Sequence, residues 1–357
     1  MSSAEEATAI LERAKALVGP AIFEVLRRLN PELSMSAIYH CEGKGKGARP
    51  ALALLSAEAA GATSHVGLPG AVAIELIHDF SLIHDDIIDA DTERRHRPTV
   101  WAKFGVGTGV ITGDALHALA YETLLSDPTP ARVRAAGELT RAVSAMIAGQ
   151  SMDMAFEHLP TITVEQCLAM ERGKTGALLS FACSVGAILA DADEGFISAL
   201  ADFGMHLGIA FQATDDLLGI WGDPARTGKP AGSDLRVCKK SMPVVIALNN
   251  SSSVAVELAK IYGCQDEGRF ISDGLAQTDL AQMDLVAAQP VLDDAAVNKA
   301  QVLVEAGGGR EQTQALARQH FEEAVTALDS IAQTNTVNAQ AIQEMRCLAE
   351  FIVGRDF

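Results

Sequence analysis

One stretch limits the fold of this chain more than any other: Glu75-Leu-Ile-His78-Asp-Phe80-Ser81-Leu-Ile-His-Asp85-Asp86-Ile-Ile-Asp89, an apolar run that ends in three acids. As a helix, at about 100° per residue, it lines His78, Asp85 and Asp89 along one stripe. Ser81 falls at the edge of that stripe, and Ile83 and Ile87 face the other way. Aspartates one turn apart repel each other and weaken an isolated helix. Flanked by Leu82, Ile83, Ile87 and Ile88, the segment belongs to an interior rather than to a solvated face. Hard carboxylate oxygens aimed at one point suit a magnesium ion shared with phosphate. A second stretch, Phe211-Gln212-Ala-Thr-Asp215-Asp216-Leu-Leu-Gly219, repeats the pattern. The pair is expected to form opposed walls around a metal cluster.

Composition agrees with a helical protein. The chain has 357 residues, 48% of them hydrophobic and 5% aromatic, an alphabet that favours helices over sheets. A formal net charge of −18 argues against nucleic acid as a partner. No apolar run reads as long and charge-free enough to span a bilayer, and the acidic N-terminus lacks a signal pattern. Six scattered cysteines without C-x-x-C spacing fit a reducing cytoplasm and offer no zinc site.

The periodicity predicts helices over residues 4–29, 50–60, a central helix ending near 91, then 110–125, 131–155, 164–189, 195–220, 242–248, 297–306, 313–331 and 339–353. Residues 92–99 read as a basic loop, 1–8 as a disordered terminus, and 249–294 resist placement. With no convincing strand and no clean boundary, a single all-α domain over residues 1–357 is expected. Two glycine patterns are set aside as nucleotide sites. Gly173-Lys174-Thr175 lacks the first glycine and the preceding strand of a P-loop, and Gly105-Val-Gly107-Thr-Gly109 lacks a βαβ context.

Cations gather beside the acidic stretches: Lys46, Arg49, Arg94 and Arg95 near the first, Lys229, Lys239 and Lys240 after the second. Carboxylates that hold cations, with arginines that grip oxygens two at a time, make a diphosphate clamp. Such a clamp suits a diphosphate leaving an allylic carbon, where magnesium and cations stabilise the departing charge. The carbocation then needs a dry cavity with a few aligned dipoles, for which Thr175, Gln212 and the Lys174 region are candidates.

These residues closely resemble the trans-isoprenyl diphosphate synthases, the polyprenyl synthase class that includes farnesyl and geranylgeranyl diphosphate synthases. The shared motifs are the Gly-Lys-Gly-Ala-Arg-Pro loop, Asp85-Asp86-Ile-Ile-Asp89, Arg94-Arg95-x-x-Pro98-Thr99, Gly149-Gln150-x-x-Asp153, Lys174-Thr175, Phe211-Gln212-x-x-Asp215-Asp216 and Gly228-Lys229-x-x-x-x-Asp234. The resemblance implies a bundle of long, mostly antiparallel helices around a central cavity, as a homodimer. It implies a cluster of about three magnesium ions on Asp85, Asp89 and Asp215, with Asp86, Asp216 and Asp153 as supporting acids. Arg94, Lys174, Lys229 and Lys239 would hold the allylic diphosphate. Lys46, Arg49, His78 and Arg95 would hold isopentenyl diphosphate without metal. Two positions depart from the family pattern: Gly47 stands where an arginine is usual, and His96 where a glycine is usual.

Below Asp85 on its own side of the helix lie Ser81, Ile77 and Ile74. Small Ser81 leaves the upper tunnel open. Phe80 points roughly 140° away at 100° per residue, so its role as a chain-length stop rests on the resemblance alone. That resemblance favours a twenty-carbon geranylgeranyl product, with the fifteen-carbon farnesyl product second. A class I terpene cyclase would leave Lys46, Arg49 and His78 without a task, and a silent partner subunit would not need both aspartate sets.

Overall fold

The computed structural model describes residues 3–43, 45–223, 231–263, 291–332 and 338–354. Lys229 lies outside them. The described residues are all-α apart from one small hairpin. In chain order the helices are α1 (Ser3–Leu26), α2 (Pro31–Cys41), α3 (Ala48–Ala59), α4 (Ser64–Ile88), α5 (Val100–Phe104), α6 (Val106–Leu125), α7 (Pro130–Glu157), α8 (Val164–Glu171), α9 (Ala177–Leu189) and α10 (Glu194–Trp221). They continue with α11 (Ser233–Arg236), α12 (Met242–Leu248), α13 (Ser253–Ile261), α14 (Asp294–Ala306), α15 (Gly309–Ala332) and α16 (Ala339–Val353).

Two compact units emerge. The first comprises Met1–Met146, Thr175–Gly208 and Phe321–Gly354. Its centre is α4, against which α3, α6 and α9 pack. Leu52, Leu55, Ile74, Leu76, Ile77, Ile83, Leu116 and Leu178 are each at most 2% exposed there, and burying each contributes roughly 1.5–3 kcal/mol. The approach of α9 to α3 depends on Gly186, where a Cβ would lie 2.2 Å from the Ala53 carbonyl oxygen. Ser56 Oγ fills that crossing and accepts a hydrogen bond from the Gly186 N–H at 2.9 Å.

Among the described residues, the second unit is drawn from Ile147–Lys174 and Ile209–His320. One of its cores gathers Ile220, Leu235, Val244, Leu258 and Val304. The other gathers Phe156, Ile162, Cys167, Met242 and Val245. A capping box between Thr163 and Gln166 starts α8.

Several expectations need correction. The terminus expected to be disordered is helical from Ser3, because Ala7 is fully buried and the Ser3 carbonyl accepts from Cys347 Sγ at 3.4 Å. The helix expected over 164–189 is interrupted by a π-helical turn at Arg172–Gly176. The basic loop contains a hairpin of β1 (Glu93–Arg94) and β2 (Arg97–Pro98). Two helices, Ser64–Ile88 and Glu194–Trp221, are long and apolar enough to cross a membrane, against the expectation that none would be. Most of each apolar window, 61% and 56%, is buried inside the protein.

Candidate active site

The first acidic stretch closes α4. Asp86 is 1% exposed, whereas Asp85 is half-buried and Asp89, at the C-cap, is exposed. Asp86 Oδ1 accepts from Arg94 Nε at 2.7 Å. Burial raises the Asp86 pKa, and Arg94 opposes the rise. Trp101 Nε1 donates to the backbone carbonyls of Asp86 and Asp91, at 2.8 Å each. The end of α4 is thereby locked to the hairpin that carries Arg94 and Arg95. The turn places Arg95 and His96 at φ of 51° and 60°, the left-handed region where glycine or asparagine is preferred. The family glycine thus has a backbone reason, and His96 keeps the geometry at a cost of about 1 kcal/mol. Gly47 has its own reason, a φ of 72° at the N-cap of α3.

Of the cations expected beside this stretch, Arg49, Arg94 and Arg95 lie against it. Arg49 occupies the first turn of α3, and its Nη1 lies 3.2 Å from His78 Nε2. A guanidinium only donates, so His78 Nε2 accepts and the ring is neutral. Burial, then Arg49 and Arg95, hold the His78 pKa well below 6.5. His78, expected to grip diphosphate, thus meets Arg49 through this ring nitrogen. The buried Nε of Arg49 lacks a hydrogen-bond partner. Arg95 Nη1 donates to the Gly43 carbonyl at 3.4 Å, and Lys46 is exposed, 6.0 Å from the Phe351 ring centroid. Behind these cations sits Glu75, pushed up to about 7 by burial and then by Asp79.

Phe80 is buried edge-on against His84 and His117, with ring centroids 4.8 and 5.2 Å away. Ile77 and Ile74 are fully buried. Ser81 is half-buried, its hydroxyl donating to the His78 carbonyl at 2.8 Å.

In the second unit the same division recurs. Asp215 is exposed and Asp216 is 2% exposed. Asp216 Oδ1 accepts from Gln212 Nε2 at 2.8 Å, and Oδ2 from the Met242 N–H at 2.9 Å. Burial pushes Asp216 up to about 6, opposed by Lys239. The carboxylates of Asp216, Asp234, Asp153 and Asp215 raise the pKa of Lys239 against burial and keep it charged. Lys174 Nζ pairs with Asp153 Oδ2 at 2.5 Å. Lys174 sits in the π-turn, which rests on Gly149: a Cβ there would lie 2.3 Å from the Lys174 nitrogen. Gln212, expected as a dipole for the carbocation, has its amide tied to Asp216. Thr175, buried in the same π-turn, opens the next segment of the first unit.

Four acids near the expected residues received no role from the sequence. Glu75 and Asp79 in the first unit, and Glu171 and Asp234 in the second, all back the cation sets. Their signal was present: each is an acid at or near an apolar helical position, where charge is rare unless paired. Gly219 lets Asp234 approach, since a Cβ there would meet Asp234 Oδ2 at 2.4 Å.

As a magnesium site the donors fit. Each stretch buries one carboxylate as an anchor and turns the other outward as a hard oxygen donor. The comparisons point the same way. A family model described as polyprenyl synthetase matches residues 30–270. The chain is 39% identical to (2E,6E)-farnesyl diphosphate synthase of Mycobacterium tuberculosis, over 97% of this chain and 92% of that one. It is 38% identical to geranylgeranyl diphosphate synthase of the same species, over 96% and 94%. The crystal structure of a polyprenyl synthetase from Streptomyces coelicolor A3(2) superposes with a TM-score of 0.84 at 42% identity, over 97% of this chain and 99% of that one. That of geranylgeranyl pyrophosphate synthetase from Pyrococcus horikoshii gives 0.84 at 31% identity, over all of both chains.

Proposed function

Starting from the membership of this chain in the polyprenyl synthetase family, which makes it a prenyltransferase with the all-α isoprenoid synthase fold, we propose that it joins isopentenyl diphosphate to an allylic diphosphate. The product we assign is geranylgeranyl diphosphate, with farnesyl diphosphate the alternative. Relatives of both kinds are about equally similar, at 38% and 39% identity. Both units are read as parts of one synthase domain, since the family match runs through both.

The observation that carries the reading is the split of each aspartate pair into a buried anchor and an outward carboxylate beside charged arginines or lysines. Asp85, Asp89 and Asp215 are assigned to magnesium, about three ions shared with the allylic diphosphate. Magnesium would supply charge neutralisation for the leaving diphosphate. Asp86, Asp216 and Asp153 hold Arg94, Gln212 and Lys174 in place. Arg94, Lys174 and Lys239, with Lys229 by resemblance, bind the allylic diphosphate. Arg49 and Arg95, helped by Lys46 and oriented in the case of Arg49 by His78, bind that of isopentenyl diphosphate. Cleavage of the allylic carbon–oxygen bond leaves a carbocation, the isopentenyl double bond attacks it, and the departed diphosphate accepts the proton released. Thr175 and Gln212 offer dipoles to the cation.

Phe80, backed by His84 and His117, is assigned to stop chain growth below Ser81 and Ile77. Purified protein given magnesium, isopentenyl and dimethylallyl diphosphates should make a twenty-carbon product; a main product of thirty carbons or more contradicts the assignment. Phe80→Ala should lengthen it. We assign a cytoplasmic homodimer, the dimer alone being supported by the apolar side chains of Val106, Val110 and Ile111 on α6, which are 51%, 39% and 54% exposed. Sedimentation equilibrium tests the dimer.

A further inference from the structure

The proposed chemistry leaves Asp79, a buried acid of the first unit, without a task. Asp79 lies on α4, between His78 and Phe80, and is 9% exposed. A carboxylate in such a place persists only if its oxygens are paired. Both are. Oδ1 stands 3.3 Å from His40 Nε2, and Oδ2 accepts from Cys41 Sγ at 3.2 Å. Burial, then Asp79 itself, push the Cys41 thiol well above its ordinary range, so it keeps the proton it donates.

His40 and Cys41 form the last turn of α2, and that turn is where three elements meet. Tyr39 OH donates to the Pro98 carbonyl of β2 at 2.8 Å, and the Arg97 guanidinium stacks on the Tyr39 ring at 4.4 Å. The Gly43 N–H bonds the His40 carbonyl at 2.9 Å, and the Gly43 carbonyl accepts from Arg95 at 3.4 Å. From there the chain leads to Lys46 and Arg49. Consecutive residues of α4 therefore clasp both ends of one segment: Asp79 holds its start through His40 and Cys41, and His78 holds its end through Arg49. A side chain at Gly45 would meet the Arg95 guanidinium at 3.5 Å and Glu75 Oε1 at 3.7 Å, so the segment passes closely over these groups.

We infer that Asp79 is a positioning residue for isopentenyl diphosphate: it never touches the substrate, but by fixing the end of α2 it sets where Arg49, Arg95 and Lys46 stand. The inference rests on the assignment of those cations to that diphosphate. Misplacing binding groups by an ångström is enough to cost up to about a hundredfold.

The test is steady-state kinetics with each substrate varied in turn, alongside thermal melting. Asp79→Ala should raise the KM for isopentenyl diphosphate about tenfold and leave the allylic KM within about twofold of wild type. Asp79→Asn, which keeps an acceptor for Cys41, should fall between, and Cys41→Ser should restore nearly wild-type values relative to Cys41→Ala. If Asp79→Ala does not fold, Cys41→Ala and His40→Ala each remove one contact from the opposite side and should show the same selective rise. Equal rises in both KM values, or no rise in a folded variant, overturn the inference. Arg49→Ala in the same assay separates the two readings. If it leaves the isopentenyl KM unchanged, the substrate assignment itself fails; if it raises that KM while the Asp79 and Cys41 variants do not, only the role of Asp79 fails.

Discussion

The two acidic stretches share a sequence pattern but hold their inner carboxylate by different means. Asp86 is held by a charged partner, Arg94 at 2.7 Å. Asp216 is held by two neutral donors, the Gln212 amide and the Met242 N–H, at 2.8 and 2.9 Å. Asp86 therefore couples the end of α4 to the hairpin, whereas Asp216 couples α10 to the start of α12. Burial pushes Asp216 up to about 6 against the charge of Lys239, as it raises Asp86 against that of Arg94. The second aspartate of each pair is thus a brace, and the first stands further out, half-buried at Asp85 and exposed at Asp215.

This division can be broken most severely at the outward acids. Asp85→Ala and Asp215→Ala should each lower kcat by about a hundredfold or more, with melting temperatures near wild type. The inner acids should behave the other way, losing stability. Asp86→Ala should cost about 3 kcal/mol in urea unfolding, because it strands Arg94. Asp216→Ala should cost about 2 kcal/mol, because it strands two neutral donors. Equal effects at inner and outer positions would erase the distinction.

A pH series sharpens the contrast. Glu75 is raised to about 7 in the folded protein from 4.5, so its protonated form is the one the fold favours. The stability it contributes is full below about pH 4.5 and lost as pH rises through about 7. Glu75→Gln should therefore flatten the fall in stability between about pH 5 and 8, by on the order of 2 kcal/mol. Asp216→Asn should flatten a smaller part, between about pH 4 and 6. The smallest expected effect is at the hairpin, where His96→Gly should stabilise the protein by about 1 kcal/mol, read as a rise in melting temperature.

Both acidic stretches were legible because an acid repeated within an apolar period is a strong local signal. The spans of α12 and α16 were read to the residue for the same reason: proline or asparagine marks their starts, and their apolar faces are regular. The π-turn at Lys174 left no trace in the periodicity, and the glycine against which it packs, Gly149, lies on another helix. The hairpin was missed because two-residue strands are too short to alternate. Its turn is set by backbone angles at Arg95 and His96 rather than by the turn residues usual there. Asp79 was invisible as a brace because its partners, His40 and Cys41, are far from it in sequence. Ser64–Ile88 and Glu194–Trp221 did not read as membrane-length because their acids interrupt the apolar run, yet an 18-residue window of each is apolar enough, and most of that window is buried inside the protein.

The central claim is that both acidic stretches act on one magnesium-bound diphosphate. Calorimetric titration of an unreactive allylic thiodiphosphate tests it most directly, with and without magnesium, on wild type, Asp85→Asn and Asp215→Asn. Binding should require magnesium and weaken by a similar factor, about tenfold or more, in either variant. Magnesium-dependent binding that one of the two variants leaves unchanged would contradict the account.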